Sequence, residues 1–232
     1  MFSNIFQTIL IICTLLLGAS GAYSENMHGL AMHGIPKYDK NFTHLAYVNP
    51  DAPKGGALRF GSYGSFDNLN RVAFKGSKAA GLGYINDILM RRVWDEAFTL
   101  YGLIAEYADM PEDRSSITFF INSNAHFHDG SPITRDDVLF SLHTFQTKGT
   151  PNQKKTYGKV VETQMIGDNG IKMIFVDNED KELPLIVAGF LPIIPKKYYE
   201  TIDVTKTFLD IPLGSGPYTI AEVDPGRKII YK

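Results

Sequence analysis

Residues Ala125–Phe145 read AHFHDGSPITRDDVLFSLHTF. Upstream of this stretch, Ile117, Phe119 and Ile121 alternate with Thr118 and Asn122. A period of two is that of a half-buried strand. Asp129-Gly130 breaks the alternation, because glycine adopts positive φ without a Cβ clash. Thr134 and Asp137 then stand three apart, the spacing of a capping box in which hydroxyl and carboxylate satisfy each other's orphan backbone donors. Asp136 and Asp137 also sit where the helix dipole favours negative charge. Val138, Leu139, Leu142 and Phe145 follow at helical spacing. The unit is strand, tight turn, capped helix, and it points to an α/β fold.

Working outward from that unit, Ala79–Met110 is predicted to be helix-rich, with Ile85, Ile88, Leu89, Val93, Ala97 and Leu100 recurring at three and four. Trp94 within it is read as capping a pocket or joining the core. Asp95 and Glu96 are adjacent, so on a helix they diverge by about 100°. That suits solvated or locally hydrogen-bonded carboxylates better than an acid/base pair. Upstream, residues 49–56, NPDAPKGG, are turn chemistry, and a short strand is expected over Ala57–Phe60. The following GSYGSFDNLN, residues 61–70, is no phosphate loop, since no Gly-Lys-Ser/Thr follows it; by itself it reads as a strand-to-loop turn.

Downstream, Lys148–Gly158 is polar and reads as a surface loop. Val160–Ile166 and Ile171–Val176 flank Gly167-Asp168-Asn169-Gly170, a hairpin signal. Leu191-Pro192-Ile193-Ile194-Pro195 cannot be helix interior and is expected to be extended, with a short helix opening at Lys196. Tyr218–Val223 and Arg227–Tyr231 read as strands around Asp224-Pro225-Gly226. His126 and His128 share one strand face and are the best-placed metal candidates, but they lack a third ligand. His28, His33 and His44 fit no single face.

The 232 residues are 44% hydrophobic and 21% charged, with net charge -2. One or two globular domains follow, and nothing favours nucleic acid or an anionic membrane as partner. Residues 1–24 carry no charged side chain, and an apolar run over Ile9–Leu17 is followed by Gly18, Ala19, Ser20, Gly21 and Ala22. This is a secretory signal pattern, cleaved after Ala22 or after Ser24, with a retained anchor as the alternative. Cys13 lies inside it and is the single cysteine. A processed chain then has no disulfide, thiolate nucleophile or zinc–cysteine site. No Gly-x-Ser-x-Gly or His-Glu-x-x-His supports a secreted hydrolase.

The run FHDGSPITRDDVLFS resembles the signature of the extracellular solute-binding proteins of family 5, the oligopeptide and dipeptide receptors of ABC importers. HGLAMHGIPKY, YVNPDAPKGGALRFGSYGSFDNLN, DEAFTLYGLIAE and PLGSGPYTI agree in the same order, so that the resemblance spans about residues 27–230. Together they are similar to the branch associated with microcin C and cell-wall peptides. The resemblance implies a type II periplasmic binding protein-like fold, here incomplete, with a first lobe plus an inserted subdomain and the second lobe missing. On this reading residues 1–24 are the signal peptide, 25–75 a first-lobe segment, 76–164 the inserted subdomain, and 165–232 a truncated return to the first lobe. It further implies that Ser62, Tyr63, Gly64, Ser65 and Phe66 face ligand; Trp94 joins them as a ligand-binding candidate on its own reading as a pocket cap. No cofactor and no catalysis are implied. The implied partners are a peptide or peptide-like ligand and membrane permease subunits, and the implied compartment is the periplasm. A non-binding remnant, or half of a receptor whose second lobe is a separate chain, is the alternative.

Overall fold

A computed structural model describes residues 23–177 and 179–232. The apolar run Ile9–Leu17 and Cys13 therefore lie outside the described residues. The strands are β1 (Tyr23–Met27), β2 (Gly29–Ala31), β3 (Met90–Arg92), β4 (Thr99–Gly102), β5 (Ala105–Pro111), β6 (Ser116–Ile121), β7 (Val160–Ile166), β8 (Gly170–Phe175), β9 (Ile220–Asp224) and β10 (Lys228–Tyr231). The α-helices are α1 (Arg135–Lys148), α2 (Pro151–Tyr157), α3 (Leu183–Phe190) and α4 (Lys196–Tyr199).

An antiparallel five-stranded sheet runs in the order β1-β5-β6-β8-β7. Ile117 and Phe119 of β6 and Ile171 and Met173 of β8 are fully buried, and they share one core with Val138, Leu142 and Phe145 of α1 and Tyr157 of α2. The alternation in β6 and the helical stripe in α1 are thus two halves of one contact. β1 enters this sheet from before residue 76 and β8 from beyond residue 164. The sheet therefore crosses both expected segment boundaries, because a β7–β8 hairpin cannot be divided without stranding its backbone donors.

The capping box forms as read: the Thr134 hydroxyl accepts from Asp137 N, and the Asp137 carboxylate accepts from Thr134 N. Its second oxygen accepts from Lys196 N at 2.9 Å, at the start of α4. One turn along α1, the buried Ser141 hydroxyl donates to Asp137 O and accepts from Ile194 N. The extended Leu191–Pro195 segment is thereby pinned across the helix start, with Leu191, Ile193 and Ile194 all fully buried.

Three expectations fail. Residues 79–110 hold β3, β4, most of β5 and a single 3₁₀ turn at Leu82–Tyr84, with no α-helix. β4 pairs with β2 on one side and β3 on the other. Leu89 and Leu100 are both buried, but Leu100 lies in β4 and Leu89 in the bend before β3, because pairing with Gly29–Ala31 satisfies the β4 backbone that a helix would otherwise satisfy locally. Residues 148–158 contain α2 rather than a loop; Thr150 and Gln153 form a second capping box with Pro151 in the first turn. Ala57–Phe60 is exposed and forms no strand, since no partner strand lies beside it among the described residues.

β9 and β10 form a two-stranded hairpin. It closes a smaller core of Leu69, Ala79, Leu82, Ile85 and Ile220. The Gly214-Ser215-Gly216 turn locks this core to the larger one. Ser215 N and Gly216 N both donate to Ile85 O at 2.9 Å, and His128 N donates to Gly214 O at 2.8 Å. A Cβ on Gly214 would overlap Ile85 O, and one on Gly216 would overlap Tyr84 O.

Two stability outcomes follow. Asp137→Ala removes the acceptor for Thr134 N and the acceptor for Lys196 N while keeping the bond from its own N–H to the Thr134 hydroxyl, and should lower unfolding free energy by roughly 2–3 kcal/mol in urea titration. Gly214→Ala and Gly216→Ala should each cost roughly 1–3 kcal/mol through backbone displacement, whereas Gly83→Ala, with open space around it, should leave the midpoint nearly unchanged.

Candidate ligand-binding surface

Residues 54–65 are exposed without interruption and carry Leu58, Phe60 and Tyr63 into solvent. Exposed apolar side chains clustered on a connecting segment mark a contact surface more often than a packing element. Ser62, Tyr63, Gly64 and Ser65 all belong to this run, and Gly64 takes a φ of 95° that a side chain would strain. Phe66 behaves differently: it is half-buried and packs against the smaller core. Ser65 lies against Gly226 in the β9–β10 turn, where a Cβ would stand 2.7 Å from its hydroxyl. The run is thus free over 54–65 and anchored at its end by Phe66.

Beyond Phe66 the backbone is held by side-chain amides. Asn68 and Asn70 are fully buried. Asn68 Oδ1 accepts from Asn70 N, and Asn70 Oδ1 accepts from Val72 N, two successive Asx turns. Asn68 Nδ2 donates to Lys75 O, while Asn70 Nδ2 donates to Val204 O and Lys206 O. The Asp67 carboxylate accepts from Ser77 N at 2.7 Å. The sequence reading missed this scaffold; the Asn-x-Asn spacing was the signal that could have revealed it.

Trp94 is 84% exposed, which removes the core reading. No hydrogen bond or ring contact joins it to residues 62–66 among the described residues; its backbone N–H faces the Tyr47 hydroxyl at 3.4 Å. The adjacent carboxylates have local partners. Asp95 accepts from Lys37 Nζ at 2.5 Å and from the Tyr38 hydroxyl at 2.6 Å. Glu96 accepts from Lys37 N and from the Tyr101 hydroxyl. Burial, together with the Glu96 carboxylate, pushes the Tyr101 hydroxyl up to about 12. This clamp ties the entry segment to the β3–β4 turn.

The histidines are engaged with backbone carbonyls: His126 Nδ1 with Asn124 O, His128 Nε2 with Gly216 O, and His28 Nε2 with Tyr38 O. No cluster of three metal-ligating side chains occurs among the described residues. A cavity of about 260 Å³ is lined by Asp87, Asn122, Asn124, His126, Ile133 and Ser215, among others, and by none of the residues expected to bind. Burial raises the Asp87 carboxyl even though Arg91 pairs with it at 2.6 Å.

Residues 99–232 match the family described as bacterial extracellular solute-binding proteins, family 5 Middle, and the chain belongs to that family. It is 38% identical over 225 residues to the peptidoglycan-binding protein YepA of Agrobacterium fabrum, covering 94% of this chain and 37% of that one. A probable peptide-binding protein of the same organism, YejA, is 36% identical over 211 residues, covering 88% and 34%. Among solved structures, the periplasmic oligopeptide-binding protein of an oligopeptide ABC transporter from Thermotoga maritima superposes with a TM-score of 0.59 at 19% identity, covering 74% of this chain and 32% of that one. The fold is therefore that of the type II periplasmic binding proteins. The chain spans about a third of the length of the curated relatives it matches.

Exposed and packed aromatics should separate on truncation. Tyr63→Ala and Trp94→Ala should leave the unfolding free energy within about 0.5 kcal/mol, and Phe66→Ala should lower it by roughly 2 kcal/mol or more. The clamp has a pH signature. Its hydrogen bond to Asp95 raises Lys37 above 10.5, so that contribution is complete below 10.5 and fades as pH rises through the higher folded value. Hydrogen bonds from Lys37 and Tyr38 lower Asp95 below 3.8, so its contribution is complete above 3.8 and fades as pH falls through the depressed value. The Tm difference between the parent and Asp95→Asn should hence stay flat from about pH 5 to pH 9 and shrink in stronger acid.

Proposed function

We propose that the chain is a solute-binding receptor for a peptide or peptide-like compound, exported through its leader to the periplasm, and that it presents cargo to the permease of an ABC importer without catalysing a reaction. The observation that carries this reading is the exposed run 54–65, whose aromatic and apolar side chains stand in solvent at the edge of a scaffold held by buried amides. A rigid support with an unfilled aromatic edge suits a ligand whose main chain lies against Ser62–Ser65, where Gly64 admits close approach. Trp94 is assigned to the same ligand as an exposed aromatic able to cap it. The relatives YepA, a peptidoglycan-binding protein, and YejA, a probable peptide-binding protein, support the cargo class.

On this reading the 232 residues supply one wall of a cleft. The opposing lobe is supplied either by further residues of a longer polypeptide or by a separately encoded chain, and hinge closure between the lobes buries the cargo. The segment after β1 as far as residue 75 and the later part of 165–232 form the first lobe, with the five-stranded sheet, β1 included, as the subdomain beside it.

The reading is tested by thermal unfolding of the purified chain with and without a mixture of short peptides. Peptide should raise Tm in a saturable manner, and the double variant Tyr63→Ala, Trp94→Ala should abolish the rise while unfolding at the parent temperature. A peptide-dependent rise that survives both truncations would remove these residues from the site, and no rise at any peptide concentration would remove the binding reading for this chain.

A further inference from the structure

The cavity of about 260 Å³ is walled by the β4–β5 turn, the segment after β6 and the Gly214–Gly216 turn. Ile104 and Ile133, both buried, give it an apolar side. Asp87 supplies its one carboxylate, and no Lys or Arg lines it among the described residues. Neither Ser62–Phe66 nor Trp94 contributes to it, so the peptide surface does not account for it.

Three of the lining groups keep acceptor capacity. Asp87 Oδ1 accepts from Arg91 Nη2 at 2.6 Å. Asp87 Oδ2 has no hydrogen-bond partner among the described residues; the shielded unpaired atoms belong to Arg71 and Asn86, so this oxygen retains access. His126 Nδ1 lies 2.6 Å from Asn124 O. A carbonyl only accepts, so Nδ1 carries the proton and Nε2 of the neutral ring is left as an acceptor. The Ser215 hydroxyl accepts from Asp87 N at 3.1 Å and keeps a second lone pair.

The backbone of both walls is fastened. Asp87 N donates to Ser215, and Asp87 O accepts from Ile193 N at 3.0 Å. Opposite, Asn122 N donates to Ile104 O at 2.8 Å and Ala125 N to Asn122 O at 3.0 Å. Binding therefore needs little further ordering. Burial raises the Asp87 carboxyl even beside the Arg91 and His128 charges, as expected of a carboxylate whose charge is under-compensated. Acceptors grouped around one carboxylate, next to apolar surface, suit an ammonium with three N–H donors on an aliphatic body.

We infer that this cavity binds a protonated primary amine, with the ammonium held by Asp87, His126 and Ser215 and its short aliphatic body against Ile104 and Ile133. The amine is either a free alkylamine or the amino group of a peptide.

The experiment titrates the purified chain with butylammonium chloride at constant ionic strength, following Tm and heat of binding. At tenfold the dissociation constant, Tm should rise by roughly 3 °C. Butanol lacks the charge and tetramethylammonium lacks N–H donors, and each should bind roughly tenfold more weakly or worse. Asp87→Asn keeps the side-chain shape and should weaken butylammonium roughly tenfold or more. His126→Ala, at an exposed position, should weaken it roughly threefold or more with the unfolding midpoint unchanged. The double variant Tyr63→Ala, Trp94→Ala should bind it as the parent does, which separates this site from the peptide surface. In a second arm, dialanine and N-acetyldialanine compete against butylammonium. Competition by dialanine alone assigns the amine to a peptide, and competition by neither assigns it to a free alkylamine. Equal competition by the acetylated peptide overturns the inference. So does the absence of any saturable effect from butylammonium and dialanine, or parent affinity in both folded Asp87→Asn and His126→Ala.

Discussion

Asp137 commits both oxygens of one carboxylate to different parts of the chain. One oxygen closes the N-terminus of α1 through Thr134, and the other receives the backbone N–H of Lys196, fifty-nine residues away. Helix initiation and the return crossing of the chain thus share a single acceptor. Ser141 repeats the arrangement one turn later, bonding Asp137 O and Ile194 N. The two Ser141 bonds are buried, so the cost of losing them includes the desolvation of the orphaned group and not merely the bond. The five-stranded sheet, α1 and the Leu191–Pro195 crossing hold their relative positions through this junction, and the large core fills in around it.

The second junction is made of glycine. Gly214 and Gly216 bring the chain so close to Tyr84 and Ile85 that side chains are excluded, and the Ile85 carbonyl takes two N–H groups at once. His128, from the turn that precedes α1, closes on the same segment from the other side. The strand–turn–helix unit is in this way tied directly to the β9–β10 hairpin, and the hairpin in turn seats Phe66 through the smaller core. A continuous line of packing and hydrogen bonds therefore runs from the helix cap to the end of the exposed run.

That continuity gives the candidate surface its character. Leu58, Phe60 and Tyr63 are exposed because nothing among the described residues faces them. The chain covers about a third of its curated relatives, and the apolar edge meets its support at Phe66.

Local chemistry was legible wherever a few neighbouring residues decide the outcome. Thr134 with Asp137, the Gly167–Gly170 turn, the proline-bounded 191–195 segment and the Asp224–Gly226 turn each form as read, because a cap or a turn is satisfied by groups within four residues of one another. The Thr150–Pro151–Gln153 cap carried the same kind of signal and was read as loop. Residues 79–110 lay beyond such reading: spacing at three and four buries the same leucines in a helix or in a sheet, and the choice was made by Gly29–Ala31, distant in sequence, pairing with Thr99–Tyr101. The fates of Trp94 and of Ala57–Phe60 were likewise tertiary, since exposure depends on what packs opposite. The reach of Lys78 Nζ to the Arg71 carbonyl seven residues back was tertiary too, since buried asparagines fold the loop between them.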